Sequence, residues 1–271
     1  MTTVYVLPID EPPGIVAPIA PIVDALGVPM IGLTQSFDFA ETSLSGGFLE
    51  AVTGNRYAHV GTGAIALAPG GGVTMDPLRS ISTGAMDMAG PWTIAVGVKV
   101  DMPTTAAALS VNVLQVGPYH ADGSAGGAGF NAFVYAGGSP PASNYPYVAI
   151  TRAQLDGVLE PSYPATPTPS PAIGGAHALF SITHDGEGGV TVSLRRGGVV
   201  ARVLKTWAPD AIQGPTGAKS RNQQVLIGAV TGGAGKVTHE YFRQWKRALT
   251  ENEINVVAAA MAAGAAARGR P

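Results

Sequence analysis

The chain has 271 residues, of which 46% are hydrophobic and 13% charged, and its formal net charge is −2. This balance excludes an intrinsically disordered chain, which would be poor in hydrophobic residues and rich in charge. The absence of cysteine excludes a secreted module stabilised by disulfides. The 37 glycines and 22 prolines are typical of a turn-rich β protein.

Positive and negative charges are separated along the chain. No Lys or Arg precedes Arg56, whereas twelve basic residues lie from Arg195 onward. Two interpretations are open, namely scatter over a folded surface or head-to-tail complementarity between neighbouring copies. The basic half lacks a clustered Lys/Arg run with interleaved aromatic residues, so we expect no nucleic-acid partner.

Residues 1–35 are predicted to form an extended, proline-rich N-terminal arm. Prolines at positions 8, 12, 13, 18, 21 and 29 exclude a central strand and a long helix, because proline fixes φ and lacks an N–H donor. An apolar segment of this kind must cover its own domain or a neighbouring subunit. The candidate assembly residues are Val4, Tyr5, Val6, Leu7, Ile9, Ile15, Val16, Ile19 and Ile22.

Two further features concern targeting. The first residues lack positive charge, and the early prolines interrupt any apolar core, so no secretory signal peptide is predicted. No stretch reaches the roughly 18 consecutive apolar residues of a membrane helix, so we expect no membrane insertion.

Residues 36–254 show many short strand patterns separated by glycine- and proline-rich turns, without a βαβ rhythm. In Pro91–Val100, for example, Ile94, Val96 and Val98 alternate with smaller or polar residues. This pattern predicts an all-β sandwich. The segment Glu160–Gly175 is too rich in proline for a strand and is predicted to be a long surface loop. The other predicted strands are Ala64–Leu67, Val73–Met75, Val111–Val116, Ala128–Tyr135, Tyr147–Thr151, His177–His184, Val190–Leu194, Val199–Leu204, Val225–Val230 and Val237–Trp245.

The C-terminal segment is predicted to be a short helix followed by a tail, assigned as a unit of residues 255–271. Thr250 and Glu253 have the spacing of a capping box, and Leu249 with Ile254 has that of a hydrophobic staple. The helix should run toward Ala267. Its predicted apolar face comprises Ile254, Val257, Ala258 and Met261.

Several of these segments resemble laminin-G-like, concanavalin-A-like jelly-roll domains. The clearest is EYFRQWKRALTENEI, in which Arg247–Thr250, Glu253 and Ile254 fit the closing segment of the family. SFDFAETSL, PWTIAVGVKVD and HALFSITHDGEGGVTVSLRRGGVVARV are similar to its opening, central strand and central meander, whereas Gln244 departs from its usual aliphatic residue. The resemblance covers roughly Ser36 to Ile254. It implies a concanavalin-A-like (laminin-G-like) jelly-roll β-sandwich of the kind carried as an appendage by bacteriophage particles.

The sequence offers no recognisable catalytic set. Glycosidases need two carboxylates across the sugar, but the nearest pair, Asp185 and Glu187, lies in a glycine-rich hairpin turn. The five histidines do not have metal-ligand spacing. We therefore expect a non-enzymatic protein without a metal or another cofactor.

Two functions fit these observations. The first is a virion structural protein, a head decoration, head fibre or tail-associated module that assembles with its own copies and neighbouring particle proteins through the N-terminal arm. The alternative is an extracellular or cell-surface, lectin-like adhesion domain that binds a cell-surface glycan. Aromatic and amide side chains in or near loops provide its candidate contacts, although ordinary packing would also explain the aromatic ones. These residues are Tyr135, Asn144, Tyr145, Tyr147 and Trp207.

Overall fold

The computed structural model of the chain describes two small N-terminal pieces, most of the sheets and the C-terminal helix. The described residues are 23–24, 27–41, 43–76, 78–87, 90–101, 108–118, 129–137, 147–153, 159–162, 177–187, 189–196, 199–206, 222–228 and 236–269.

β-strands make up most of the described chain, and one helix lies at its C-terminal end. The strands are β1 (Leu33–Phe37), β2 (Phe48–Leu49), β3 (Arg56–Tyr57), β4 (His59–Gly61), β5 (Ile65–Leu67), β6 (Val73–Met75), β7 (Arg79–Asp87), β8 (Trp92–Asp101), β9 (Ala108–Pro118), β10 (Gly129–Gly137), β11 (Tyr147–Ala153), β12 (Leu159–Ser162), β13 (His177–His184), β14 (Gly189–Arg196), β15 (Val199–Thr206), β16 (Asn222–Gly228) and β17 (Lys236–Trp245). The helix is α1 (Glu251–Ala267).

The strands form two large antiparallel sheets. The eight-stranded sheet has the order β15-β14-β13-β8-β17-β6-β5, with β1 also paired to β17. The seven-stranded sheet has the order β12-β11-β10-β9-β16-β7-β4, and β2 with β3 makes a small separate ribbon. The predicted all-β jelly-roll sandwich is therefore confirmed.

The interior between the two sheets is apolar. Alternate residues of β8, namely Ile94, Val96 and Val98, are fully buried there, as the period of two predicts. Phe180 from β13 and Phe242 from β17 continue this layer, and residues of β9 and β16 meet it from the other sheet. These contacts form one continuous hydrophobic core.

One polar side chain crosses this interior. His239 of β17 is fully buried, and its Nε2–H donates to the carbonyl oxygen of Val113 in β9 over 2.9 Å. Burial in the apolar core lowers the pKa of His239 from 6.5 to about 4, although the Val113 hydrogen bond raises it slightly. The imidazole is therefore neutral at pH 7 and joins the two sheets.

The opposite face of the eight-stranded sheet is covered by α1. Ala95, Leu179 and Tyr241 point away from the interior and pack with Val257 and Met261 of the helix. This second cluster explains why a helix rich in small residues is stable, because most helical stability in proteins comes from the packing of one face.

The described part of the N-terminal arm also lies on this outer face. Val28 is fully buried beside α1, and Trp245 Nε1 donates to the Pro29 carbonyl oxygen over 2.8 Å. The backbone N–H of Lys246 donates to the Gly32 carbonyl oxygen over 2.7 Å. This segment thus packs on its own domain before entering β1. The nine candidate assembly residues between Val4 and Ile22 lie outside the described residues.

The predicted capping box of α1 is present. The Glu253 N–H donates to Thr250 Oγ1 over 3.3 Å, and the Thr250 N–H donates to Glu253 Oε2 over 2.8 Å. Arg247 clamps the same carboxylate with two bonds of 3.0 and 2.6 Å. Its bonds, together with those of Thr250, lower the pKa of Glu253 to about 2 against the smaller opposing effect of burial.

The structure departs from the sequence predictions in several places, among them the short strands β2, β3 and β4, which were not predicted, and β1, which begins inside the predicted arm. β7 was not predicted, because its sequence RSISTGAMD has only two large apolar residues, Ile81 and Met86, and they do not recur with the period of two that marks a strand. β12 occupies the beginning of the segment predicted as a loop, and its Pro161 is accommodated because β12 is an edge strand. On α1, Ala260 and Ala265 are buried, while Ala258 is only half-buried.

Candidate functional site

A cleft of about 530 Å³ separates the N-terminal half of α1 from the outer face of the eight-stranded sheet. This volume lies within the range of about 300–1,000 Å³ that is usual for small-molecule sites. We call it the helix–sheet cleft. It is lined by Gly97, His177, Ala178, Leu179, Arg195, Arg196, Val200, Glu240, Glu251, Asn255, Ala258, Ala259, Met261 and Ala262.

A β-bulge brings Glu240 of β17 beside His177 of β13 in the cleft. His239 and Tyr241 of β17 pair with the consecutive residues Val98 and Gly97 of β8, which leaves Glu240 as the extra residue. The Glu240 side chain is 2% exposed, and its Oε1 lies 2.7 Å from Nδ1 of His177 on β13. A buried carboxylate needs such a partner, because desolvation of an unpaired charge is costly.

Arg195 forms the second charged group of the cleft. Its side chain is 5% exposed, and Nη1 donates to Glu251 Oε1 over 2.7 Å and to Asn255 Oδ1 over 2.8 Å. Both partners lie on the first turns of α1, so Arg195 ties β14 to the helix. Arg195 Nε is also buried, and it has no hydrogen-bond partner among the described residues.

Small residues determine where the helix touches the sheet and where it does not. At the C-terminal half of α1, Gly264 lies so close to the Tyr241 hydroxyl that an added Cβ would overlap it. On the N-terminal side of Gly264, the helix presents Ala258, Ala259 and Ala262 toward the cleft. The helix therefore closes onto the sheet at one end, and short side chains leave open space at the other.

The residue types define the chemistry that this arrangement supports. The cleft combines buried hydrogen-bonding groups with apolar walls, which is the pattern of a small-molecule binding site. Among the described residues, no group of three or more His, Asp or Glu side chains can hold a metal ion. No helix in the described part of the chain is long and apolar enough to cross a membrane.

The structure places two of the predicted glycan contacts together. Tyr135, near the end of β10, is the register partner of Tyr147, the first residue of β11. Partners in an antiparallel ladder occupy neighbouring positions on one face of a sheet. Asn144 and Tyr145 belong to the connection between these strands by sequence, and both lie outside the described residues, as does Trp207.

The hairpin acids have a structural role in the described chain. Asp185 Oδ1 accepts the backbone N–H groups of Glu187 over 2.7 Å and Gly189 over 3.0 Å. These bonds shape the β13–β14 turn, as Asp side chains commonly do. The two acids are not brought into the helix–sheet cleft.

Sequence reasoning missed the residues of the helix–sheet cleft. His177 was considered only as one of five histidines without metal-ligand spacing, and Glu240 and Arg195 had no predicted binding role. The position of Glu240 depends on a bulge, and Arg195 meets α1 only through tertiary packing. The sequence carries no local signal that would have identified either residue.

No protein-family model matches the chain, and no curated protein matches it. Solved structures do resemble it. One concerns botulinum neurotoxin type C and its interaction with two ganglioside molecules, with a TM-score of 0.53 and 10% identity. A second is the binding domain of botulinum neurotoxin DC in complex with rat synaptotagmin II, with a TM-score of 0.55 and 10% identity. A third is the binding domain of serotype D, with a TM-score of 0.52 and 8% identity.

Each of these alignments covers 83% of this chain and 50–51% of the other chain, so the protein spans about half the length of these relatives in structure. At such low identities the likeness identifies the fold as a β-sandwich and carries no residue correspondence.

Proposed function

We propose that this protein is a non-enzymatic binding domain that recognises a cell-surface glycan, acting at an extracellular surface. The single observation that carries the proposal is the Tyr135–Tyr147 register pair at the end of the β10–β11 hairpin that leads into its connection. The structural neighbours lend support, because one of them concerns ganglioside interaction and others are binding domains.

Tyrosine suits this role for a physical reason. Its ring offers a rigid apolar face, and its hydroxyl supplies a hydrogen bond, so it contacts ligands that are apolar on one side and polar on the other. Sugar rings have this character. Asn144 and Tyr145, within three residues of Tyr147 in sequence, add an amide and a third ring to the same connection.

The test is binding to an array of neutral and sialylated oligosaccharides, followed by calorimetric titration of the strongest hit. We expect saturable binding. Tyr135→Ala and Tyr147→Ala should each weaken it by tenfold or more, whereas the Phe variants should lose less because they keep the ring.

Leu49→Ala is the matched control, because Leu49 is an exposed apolar residue on the separate β2–β3 ribbon and is 43% exposed. Its affinity should equal that of the unchanged protein. An array without any bound oligosaccharide, or Ala variants with undiminished affinity, would contradict the proposal.

A virion structural role is the second candidate, as a head decoration, head fibre or tail-associated module. The laminin-G-like, phage-appendage resemblance of the sequence belongs to this candidate. The favouring observation is exposed apolar surface on and beside the described arm segment, where Val23 is 45% exposed, Ile31 48% and Val256 of α1 39%. Contact with neighbouring copies would cover these side chains.

Its test is light scattering after size exclusion on the full chain and on a chain lacking residues 1–22. This boundary retains Val28 and β1, which belong to the folded domain. A defined oligomer that becomes a monomer on truncation supports assembly through the arm. Two monomers would contradict it.

A further inference from the structure

The strands β9, β10 and β11 of the seven-stranded sheet divide their residues between two faces. Leu114 of β9 belongs to the core between the sheets, and its register partner on β10 is Ala132, which in turn pairs with Ile150 of β11. Successive residues of a strand occupy opposite faces. The residues that alternate with this inner set therefore belong to the outer face of the sheet.

The register of these strands brings aromatic and amide residues together at the outer positions. Partners in an antiparallel ladder are neighbours on one face, so consecutive rows of the ladder form a continuous surface. We call this surface the outer patch. Its members are the register pairs Tyr135–Tyr147, Phe133–Asn112 and Asn131–Thr151.

The outer positions of β9, β10 and β11 carry no charge. The sequences of these strands, ALSVNVLQVGP, GFNAFVYAG and YVAITRA, contain Arg152 as their only charged residue. Arg152 pairs with Phe130, and Phe130 pairs with Val116, which is the partner of the core residue Val225. Arg152 thus belongs to the inner set of positions and not to the outer patch.

A patch of this composition matches a neutral sugar chain. The carboxylate of a sialic or uronic acid is bound most strongly by Arg or Lys, and the outer positions of β9, β10 and β11 hold neither. A side-chain amide both donates and accepts, as sugar hydroxyl groups do, so Asn112 and Asn131 suit such hydroxyls. Aromatic rings provide flat apolar faces for the C–H groups of a sugar ring.

The outer patch is larger than a single sugar ring. Asn131 and Tyr135 lie four residues apart on β10, which corresponds to about 13 Å along the strand. The neighbouring strands β9 and β11 extend the patch by about 10 Å across the sheet. These dimensions correspond to several sugar units that lie across the face.

We propose that the outer patch binds a neutral oligosaccharide of several sugar units. This ligand class rests on the proposed function and deepens it, because it specifies an uncharged glycan and adds Asn112, Asn131 and Thr151 to the tyrosine pair. A glycan bound at the hairpin connection alone would not need these three residues.

The experiment is calorimetric titration of the full chain with neutral and charged oligosaccharides. The neutral probes are the mono- to hexasaccharides of the malto-, cello- and chito-series, and lacto-N-tetraose is compared with its sialylated form. We expect saturable binding of at least one neutral probe, with an affinity that rises roughly tenfold or more from the monosaccharide to the tetrasaccharide. Sialylation of lacto-N-tetraose should not raise its affinity.

Amide variants locate the binding on the face of the sheet. Asn131→Ala should weaken the binding of the best neutral probe at least fivefold, because it removes both a donor and an acceptor. Asn55→Ala is the matched control, since Asn55 is an exposed amide in the β2–β3 connection, and its affinity should equal that of the unchanged protein. Asn112→Ala repeats the test on β9 and decides the matter if Asn131→Ala does not fold.

The outcomes separate the outer patch from the hairpin site. Undiminished affinity in folded Asn131→Ala and Asn112→Ala, with a loss in Tyr135→Ala, would overturn the outer patch and leave the proposed function intact. Equal affinity for monosaccharide and tetrasaccharide, or tighter binding of sialylated than of neutral lacto-N-tetraose, would do the same. The absence of saturable binding to every neutral probe also overturns it, whereas the proposed function fails only if sialylated oligosaccharides are not bound either.

Discussion

The two faces of the eight-stranded sheet are packed by different means. The inner face presents large apolar residues such as Ile94, Val96 and Phe180 to the other sheet, and all three are fully buried. The outer face presents Ala95 and Gly97 from the same strand to a single helix. One sheet therefore carries a dry core on one side and a docked helix with an open cleft on the other.

The difference shows how one alternating pattern serves two purposes. Sheet-to-sheet packing needs bulk along every strand, because protein interiors are close-packed. A helix contacts a sheet along one line, so small residues suffice beneath it, and polar groups at the edge of that line remain reachable. The cleft is a consequence of covering a wide sheet with a narrow helix.

The largest loss of stability should come from substitutions in β13, where the neighbouring residues Leu179 and Phe180 face opposite sides of the sheet. Phe180→Ala should lower the free energy of unfolding by about 3–5 kcal/mol, because it leaves a cavity in the interior. Leu179→Ala should cost about 2 kcal/mol, at the low end for this change, because Leu179 borders an existing cleft.

Urea unfolding of both variants measures the comparison, with Val52→Ala, a 46% exposed residue, as the control for side-chain truncation at the surface. Equal losses for Phe180→Ala and Leu179→Ala would show that the two faces are equally well packed and would contradict this interpretation.

The next effect concerns pH and belongs to the inner face. The pKa of His239 is about 4 in the folded protein and 6.5 ordinarily, so the unfolded chain binds more protons between these values. Stability should therefore fall as the pH drops from about 6.5 to 4. The difference between the two pKa values corresponds to about 3 kcal/mol.

Chemical denaturation at a series of pH values checks this expectation. His239→Gln retains an N–H donor for Val113 and cannot titrate in this range, so its stability curve should be flatter than that of the unchanged protein between pH 6.5 and 4.5. Below pH 4.5, both curves should fall, because Glu253 loses its stabilising charge as the pH approaches its pKa of about 2. If the two stability curves have identical slopes between pH 6.5 and 4.5, the pH dependence arises from groups other than His239.

The inner face was also the part that the sequence predicted best. Alternation in β8, β13 and β17 and the Asp-Gly turn before β14 are local signals, and His177–His184 is found with the predicted bounds. The Thr250–Glu253 capping box was equally local. The cleft was not predictable from the sequence. It depends on the bulge at Glu240 and on how α1 packs against the sheet, and both are set by tertiary structure. Tyr135 and Tyr147 were identified as aromatic residues near loops, but their pairing required the register of β10 with β11.

A smaller loss of stability should come from Gly264→Ala, at the point where α1 contacts Tyr241 of the sheet. Gly264→Ala would normally stabilise a helix by about 1 kcal/mol. Here the new methyl group overlaps the Tyr241 hydroxyl, so we expect a net loss of about 1–2 kcal/mol. Thermal unfolding in a double-mutant cycle with Tyr241→Phe measures the conflict. The loss should shrink when the hydroxyl is absent, and a loss of unchanged size would mean that the contact does not limit the approach of α1.

The smallest loss of stability should come from the start of α1. There the helix is held by hydrogen bonds rather than by the packing of large side chains. Thr250→Ala removes the oxygen that accepts the Glu253 N–H, and it should cost about 1 kcal/mol in urea unfolding. Thr250→Ser keeps the acceptor and should cost less. Because Arg195 reaches Glu251 and Asn255 on the next turn, fraying at Thr250 should also loosen one wall of the helix–sheet cleft. In NMR spectra of the chain labelled with ¹³C at the methionine methyl groups, the Met261 signal should therefore broaden in Thr250→Ala and stay sharp in Thr250→Ser. A sharp signal in both variants would mean that Arg195 alone fixes the first turn of the helix.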